Sequence, residues 1–530
     1  MFSSRRNFLK QFGLGAGALL FTDSLGLYGE ESSFGLPGSA PEAQGVDSAG
    51  IEAFLDGIAA AKHELHSFMM VRHGKVIAEG WWAPYAENLR HTMYSMSKSF
   101  TSTAVGFAVS EGKLTVEDKV VSFFPKDLPE QVSENLAALR VRDLLTMSVG
   151  NAKEPTGDVV KQENWVKAFL GEPITHPPGT TFLYNSAATY MCSAIVQKVT
   201  KEKVVQYLQP RLFAPLGIKN VTWETCPRGI NTGGWGLSIQ TEGLAKFGQT
   251  LLQKGQWDGK QIIPQKWVEE ATSFHIQQPD PAKPTRPKEQ NDWLQGYGYQ
   301  FWRCQHGGFR GDGAFGQYTI VLPEQDVVIA MTGESSNMQG ELDLVWEHLL
   351  PAIKSAPLPE NTAAHSHLTA RLAALALQPP TGQASSPDVA RLKGKTFKLE
   401  TNSLSLEKVT FDFGQDATKA TFHATTAIHT LTCGAGRWEM GKTALPGVPP
   451  RIIAGGAPPS GTFYPVAVSG VWKDEHTFEI TLRYYETPHH DTLTCAFDGD
   501  KISVTFLSSI AAMPGKGKDS RPVLQGQLVG

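Results

Sequence analysis

The spacing of hydrophobic residues changes character once along this chain, and that change limits what it can fold into. From about Val46 to Ile353, stretches with helical spacing alternate with strand-like runs. Beyond Asp388 the segments KTFKLE, KVTFDF, TFHATT, TFEITLRYY, TLTCAF and KISVTFL alternate apolar and polar residues, as half-buried antiparallel strands do. Between the two lie SAPLPENTAAHSH, a short helical stretch LTARLAALAL and QPPTGQASSP, where Pro and Gly interrupt regular structure. The pattern predicts an α+β domain over residues 35–356, a linker with a short helix over 357–387 and an all-β barrel or sandwich over 388–530. With 41% hydrophobic residues in a chain of 530, there is apolar surface enough for two cores.

Within the first domain, HSFMMVRHGKVIAEGWW reads as two strands around His73-Gly74-Lys75, and QYTIVLPEQDVVIAMTG as two more around Pro323-Glu324-Gln325-Asp326. One pair is early and one late. The expected architecture is an antiparallel sheet built from both ends of the domain, with a helical lobe inserted between them.

The first 34 residues read as a signal peptide and leader. Ser4-Arg5-Arg6-Asn7-Phe8-Leu9-Lys10, followed by an apolar run of about ten residues from Phe12 to Phe21, resembles a twin-arginine export signal. That run is too short to span a membrane, and no later segment is longer, so no stable membrane span is expected and the location is periplasmic or secreted. The net charge of −4, with no Lys/Arg tract, argues against a nucleic-acid partner. Five cysteines lie far apart without C-x-x-C pairing, so neither a zinc ribbon nor a disulfide scaffold is indicated.

Three segments carry chemistry. Ser95-Met96-Ser97-Lys98 sets a serine three residues before a lysine at the start of a helix, one turn apart on one face. A serine hydroxyl needs an adjacent base to act as a nucleophile, and a buried lysine that has lost its proton can serve. Downstream, Pro178-Gly179 precedes Tyr184-Asn185-Ser186 and a helix; a tyrosine beside a cationic lysine is expected to have a lowered pKa and to relay protons. Finally, glycines at 307, 308, 311, 313 and 316 lead into a strand, where bare backbone permits close approach and a free N–H can stabilise an oxyanion.

Together with VRDLLTMSVG and GWGLSIQTEGLAKFGQTLLQKGQWDGKQIIPQKWV, these segments make the region from about Gly35 to Ile353 resemble the serine beta-lactamase-related family of class C beta-lactamases, D-stereospecific peptidases, family VIII carboxylesterases and 6-aminohexanoate-dimer hydrolases. The resemblance implies that Ser95 is the nucleophile, Lys98 its base and Tyr184 the family's tyrosine. It also sets Gly311-Asp312-Gly313 on the lysine-threonine-glycine strand motif, with the N–H groups of Ser95 and Ala314 forming the oxyanion hole, supported by Gly313. Two positions depart from the lactamase pattern: Ser186 stands where asparagine ends the tyrosine motif, and Gly311 replaces the positive strand residue that holds a substrate carboxylate. Both departures resemble the aminohexanoate hydrolases and some esterases. The expected function is an exported serine hydrolase that cleaves small esters or amides through an acyl-enzyme on Ser95, with no cofactor and no metal. The alternatives are a beta-lactamase or D-stereospecific peptidase, and, from another class, a non-catalytic envelope protein that binds a ligand.

Other features are given plainer readings. His63-Glu64-Leu65-His66 has the wrong spacing for a zinc-protease helix and reads as a surface helix end. His365-Ser366-His367 falls in the linker, and His489-His490-Asp491 reads as a polar hairpin turn. Trp81, Trp82, Trp235, Phe301 and Trp302 are candidates to line an acyl pocket, with core packing the alternative. Residues 388–530 are expected to be dispensable for the Ser95 chemistry, and Cys433 and Cys495 to be able to pair if their strands face each other.

Overall fold

The computed structural model describes residues 35–453, 463–515 and 517–529. The twin-arginine stretch and leader lie outside these described residues. Strands β1 (Leu65–Arg72) and β2 (Lys75–Trp81) form the early hairpin. The late strands are β3 (Trp302–Arg303), β4 (Phe309–Gly313), β5 (Gln317–Leu322) and β6 (Val327–Gly333). They combine in one antiparallel sheet of order β2-β1-β6-β5-β4-β3, so the two ends of the domain meet where β1 pairs β6, with Phe68 opposite Met331. The central strands β1, β5 and β6 are buried on both faces, which explains why they read as continuous apolar runs.

One face of the sheet is covered by α1 (Ser48–Ala60). Against the other packs the helical lobe, at whose centre lies α2 (Ser97–Ser110), buried over every residue from Ser97 to Ala108. Ser99 Oγ donates to the Gln300 carbonyl at 2.9 Å and Thr101 Oγ1 to the Gly233 carbonyl at 2.9 Å, while Ser102 Oγ is buried without a partner among the described residues. The lobe also contains α3 (Ser186–Thr200) and α4 (Thr241–Leu252). A Cβ at Gly248 of α4 would stand 2.5 Å from Val328 and 2.7 Å from Thr319, so glycine lets this helix lie close on the sheet.

The linker is more firmly attached than its composition suggests. Helix α5 (Thr362–Ala373) buries Leu368 and Leu372 in the core under β1 and β2, and residues 375–377 hydrogen-bond to both sides of Ala83. His367 pairs with Glu52 at 2.9 Å.

The C-terminal strands are β7 (Thr396–Leu399), β8 (Leu406–Phe413), β9 (Ala417–Ala424), β10 (Ile428–Gly434), β11 (Glu439–Thr443), β12 (Tyr464–Trp472), β13 (Thr477–Arg483), β14 (His490–Asp498), β15 (Lys501–Ser508) and β16 (Leu524–Val529). Their order is β10-β9-β8-β7-β16-β15-β14-β13-β12-β11, and nine of them close into a barrel where Gly434 of β10 meets Ser469 of β12. Ser469 Oγ donates to the Gly434 carbonyl across that seam at 3.0 Å. Burial alternates residue by residue along β14 and β15, the period-two pattern legible in the sequence. The interior is filled by Phe411, Phe413, Trp472, Phe478 and Phe497, whose ring centroids lie 5.1–6.5 Å apart where they touch. Cys433 and Cys495 stand in that core as free thiols.

The barrel docks on the first domain through buried charge. Arg483, at the end of β13, donates through Nη1 to Glu64 Oε1 at 2.6 Å and through Nη2 to Glu64 Oε2 at 3.3 Å. The same Oε1 of Glu64 also contacts His66 Nε2 at 3.0 Å, and His66 stacks on Tyr85 with centroids 3.8 Å apart. Tyr85 donates to the Thr487 carbonyl at 2.9 Å, and the Thr92 N–H to the Glu486 carbonyl at 2.9 Å. This corrects one expectation and sharpens another. His63–His66 is not a surface helix end, because α1 stops at Ala60 and His66 is a buried residue of β1. His489-His490-Asp491 does fall at the hairpin between β13 and β14, but there His489 is buried against the first domain. Burial alone would raise the Glu64 carboxyl, but Arg483 and His66 outweigh it and hold it at about 2.

Replacing Arg483 leaves that carboxylate without its cation, so Arg483→Met should destabilise the chain by about 2–4 kcal/mol, read as an earlier calorimetric transition. Glu64 titrates below its ordinary value of 4.5, so its contribution is full above about pH 4.5 and fades as pH falls towards 2. The gap between Arg483→Met and the unchanged chain should shrink over that window.

Candidate active site

The site begins at a tight turn. Tyr94–Met96 forms a single 3₁₀ turn that runs directly into α2, and Tyr94 holds φ at +46°. Ser95 therefore sits just ahead of the helix, and Lys98, one turn on, reaches back with Nζ 3.0 Å from Ser95 Oγ. Nζ has two further neighbours, Ser186 Oγ at 3.0 Å and the Gly234 carbonyl at 2.7 Å. Because α2 is the central helix, Lys98 is only 2% exposed. Burial lowers its ammonium to about 7, although Glu154 and Asp312 act in the opposite sense. An amine that has lost its proton keeps two N–H donors, which suit the Gly234 carbonyl and Ser186 Oγ, and one lone pair, which faces the Ser95 hydroxyl.

Gly234 supplies that carbonyl because the backbone there lies against the start of α3: a Cβ would stand 2.7 Å from the Ser186 carbonyl. Asn185 caps α3 by accepting the Ala188 N–H at 2.9 Å, and the Ser186 N–H goes to Glu154 Oε1 at 3.1 Å. Ser186 is thus fixed with its hydroxyl towards Lys98. Tyr184 stacks on Trp302 at 5.5 Å between centroids, has its phenol acted on by Ser95, and has Lys98 Nζ over its ring at 4.8 Å from the centroid. The expected lowering of its pKa is corrected. Burial, with Asp312 adding to it, raises the phenol, so Tyr184 stays protonated at neutral pH.

Strand β4 forms the opposite wall. A Cβ at Gly313 would stand 2.1 Å from the Met93 carbonyl, so this strand touches the backbone leading into the Tyr94–Met96 turn and brings Ala314 beside it. Among the described residues no acceptor takes the N–H of Ser95 or of Ala314. The Ala314 carbonyl is held by Gln317 Nε2 at 3.0 Å. At Gly311 a Cβ would meet Met96 Sδ at 2.5 Å and Ser99 Oγ at 2.6 Å, so this position has no room for a lysine or histidine. The cation nearest along β4, Arg310, is fully buried and engaged by Asp312 Oδ2 at 3.0 Å and the Asp292 carbonyl at 2.9 Å. The charges facing Lys98 are the carboxylates of Asp312 and Glu154.

All six residues singled out in the sequence, Ser95, Lys98, Tyr184, Ser186, Gly313 and Ala314, converge on this site. Of the aromatic candidates, Trp302 reaches it, while Trp81 and Phe301 lie in the core and Trp235 packs on Trp165 at 5.7 Å. Sequence reasoning missed the Gly234 carbonyl, Asp312 and Glu154. The first belongs to the stretch GGWG, whose adjacent glycines signal close backbone contact without saying with what. A separate group, Glu64, Glu334 and His490, has ligand atoms within 4.8 Å of one another, but Arg483, His489 and Ser509 already engage its carboxylates.

Comparison with protein families matches residues 57–350 to the beta-lactamase family. The 6-aminohexanoate-dimer hydrolase of Paenarthrobacter ureafaciens is 28% identical over 219 residues, 38% of this chain and 56% of that protein. The N-acetylmuramyl-L-alanine amidase of Bacillus subtilis (strain 168) is 26% identical over 189 residues, 31% of this chain and 43% of that protein. The chain thus spans about half the length of these curated relatives. The crystal structure of a family VIII carboxylesterase superposes with a TM-score of 0.47 at 15% identity, covering 60% of this chain and 99% of that one.

If Lys98 must be neutral to accept the Ser95 proton, kcat/KM for an ester should rise with pH along a limb centred near 7 and fall about tenfold per pH unit below it. Ser186→Ala removes one of three contacts to Nζ and should lower kcat/KM about five- to thirtyfold, by the roughly 1–2 kcal/mol of one hydrogen bond. A pH-rate series on both proteins checks the two expectations together.

Proposed function

The chain belongs to the beta-lactamase family, a family of hydrolases with amidase and esterase members, and we propose that it is a serine hydrolase acting on small esters or amides through an acyl-enzyme on Ser95. The observation that carries this reading is the buried Lys98 amine, 3.0 Å from Ser95 Oγ and held on its other sides by Ser186 and Gly234. In the first step Lys98 takes the Ser95 proton as Oγ attacks the substrate carbonyl. The oxygen that becomes negative lies between the N–H groups of Ser95 and Ala314. Tyr184, kept as a neutral phenol, gives its proton to the leaving alkoxide or amine, and the Lys98 ammonium over the same ring restores it. Water then repeats the attack on the acyl-enzyme, and the serine is released.

Substrate charge follows from the walls. Where the family's positive strand residue would hold a carboxylate, Gly311 leaves no side chain, and Asp312 and Glu154 are the nearest charges to Lys98. A penicillin or a D-alanyl terminus would bring an anion towards Glu154, while Arg310 of β4 is already paired with Asp312. Neutral esters and amides bring none. The Ser4–Lys10 pattern supports export, so the same reading puts the enzyme in the periplasm or outside the cell.

A fluorophosphonate probe should label the exported chain on Ser95, and Ser95→Ala should abolish both labelling and ester cleavage; an unlabelled but folded wild type would favour the ligand-binding alternative. Loss of the charge-assisted bond to a carboxylate costs about 1.5–3 kcal/mol, so short-chain p-nitrophenyl esters should be cleaved at least about tenfold better than nitrocefin. Equal rates on the two substrates would contradict the charge argument.

A further inference from the structure

The two N–H groups assigned to the oxyanion hole are each flanked by a residue in a conformation that side chains avoid. Tyr94, just before Ser95, has φ +46°, and Phe315, just after Ala314, has φ +71°. Neither is glycine, so each must be held from outside. The two rings meet edge to face at 5.5 Å. A third ring closes on both: His489, from the hairpin between β13 and β14, lies 5.7 Å from Tyr94 and 4.8 Å from Phe315, edge to face in each case.

Hydrogen bonds fix the wedge. His489 Nδ1 lies 2.6 Å from Glu334 Oε1, and the Tyr94 hydroxyl lies 2.5 Å from His489 Nε2. Glu334 also contacts His490 Nδ1 at 3.0 Å and Ser509 Oγ at 2.5 Å; burial would raise its carboxyl, but these contacts outweigh it and keep it ionised. A carboxylate only accepts, so His489 presents an N–H at Nδ1 to Glu334, and the Tyr94 hydroxyl closes the chain at Nε2. One residue on from Glu334, the Ser335 N–H donates to the Phe315 carbonyl at 3.0 Å. Glu334 follows β6 directly, so the chain Glu334–His489–Tyr94 ties the rigid sheet to the nucleophile turn, and Ser335 ties the same segment to the Ala314 turn. His489 is 1% exposed.

We propose that His489 of the C-terminal barrel is a positioning residue for the oxyanion hole, holding the Ser95 and Ala314 N–H groups in register through Tyr94 and Phe315. The proposal rests on the serine hydrolase reading above. It gives the barrel a part in the chemistry that its distance in sequence hides, and it reverses the expectation that residues 388–530 are dispensable for Ser95. A group that aligns these donors acts on the tetrahedral state and leaves ground-state binding nearly alone.

The test uses the full chain, with active sites counted by fluorophosphonate labelling, p-nitrophenyl butyrate as substrate and a short alkylboronic acid as the tetrahedral mimic. His489→Ala should lower kcat about 10- to 100-fold with KM within about threefold, and should weaken the boronic acid by a similar factor. Tyr94→Phe keeps the ring and loses only the hydroxyl contact to Nε2; it should lower kcat about three- to tenfold without a change in melting temperature. If His489→Ala does not fold, Tyr94→Phe and His489→Phe decide the matter by the same readings. Folded variants whose kcat and boronate affinity match the wild type, even with a lower melting temperature, would reduce His489 to a docking contact and overturn the proposal. A wild type that neither labels nor cleaves the ester would instead overturn the hydrolase reading, and this inference with it.

Discussion

Burial of a single amine organises this molecule. Lys98 can approach neutrality near pH 7 because α2 is enclosed on every side, and enclosing a helix so rich in serine and threonine requires a carbonyl or hydroxyl partner for each polar group. Those partners come from elsewhere in the lobe: Gln300, Gly233 and Gly234 accept from α2, and the Leu237 N–H donates to Ser97 Oγ at 3.1 Å. The helical lobe is thus arranged so that one lysine loses its solvent while Ser97, Ser99 and Thr101 beside it keep their hydrogen bonds.

Close backbone approach is the second requirement, and it accounts for the glycines better than flexibility does. Gly311, Gly313 and Gly234 each lie where a Cβ would stand less than 3 Å from a neighbouring heavy atom, at Met96, the Met93 carbonyl and the Ser186 carbonyl respectively. These three contacts press β4 and the start of α3 onto the turn that carries Ser95. The same packing that builds the site also removes the room for a positive side chain at 311, so site assembly and the lack of a cation at that position share one cause.

The C-terminal barrel has its own aromatic core, yet it is joined to the first domain by contacts of the kind usually found inside one. Arg483, His489 and the Glu486 carbonyl reach Glu64, Glu334 and Thr92, and of these Arg483, His489 and Glu334 are buried. Removing one partner of such a network leaves the other charge without solvent or counterion. The barrel and the first domain are therefore coupled energetically, although the strands that make the barrel show nothing of it.

Ser95 and Lys98 were legible because three residues make one turn, and the strands of both domains because alternation and apolar runs are properties of contiguous residues. The closing of the main sheet by its two ends followed from the position of the hairpins. The barrel was legible as strands. What local pattern could not supply were the contacts at long separation: Ser186 stands 88 residues from Lys98, the Gly234 carbonyl 136 and His489 395 from Tyr94. The two readings that failed outright, His63–His66 as a surface helix end and a Tyr184 of lowered pKa, failed for the same reason. Sequence shows that a side chain can ionise or hydrogen-bond, but burial decides whether it does, and burial is fixed by which distant elements pack around it.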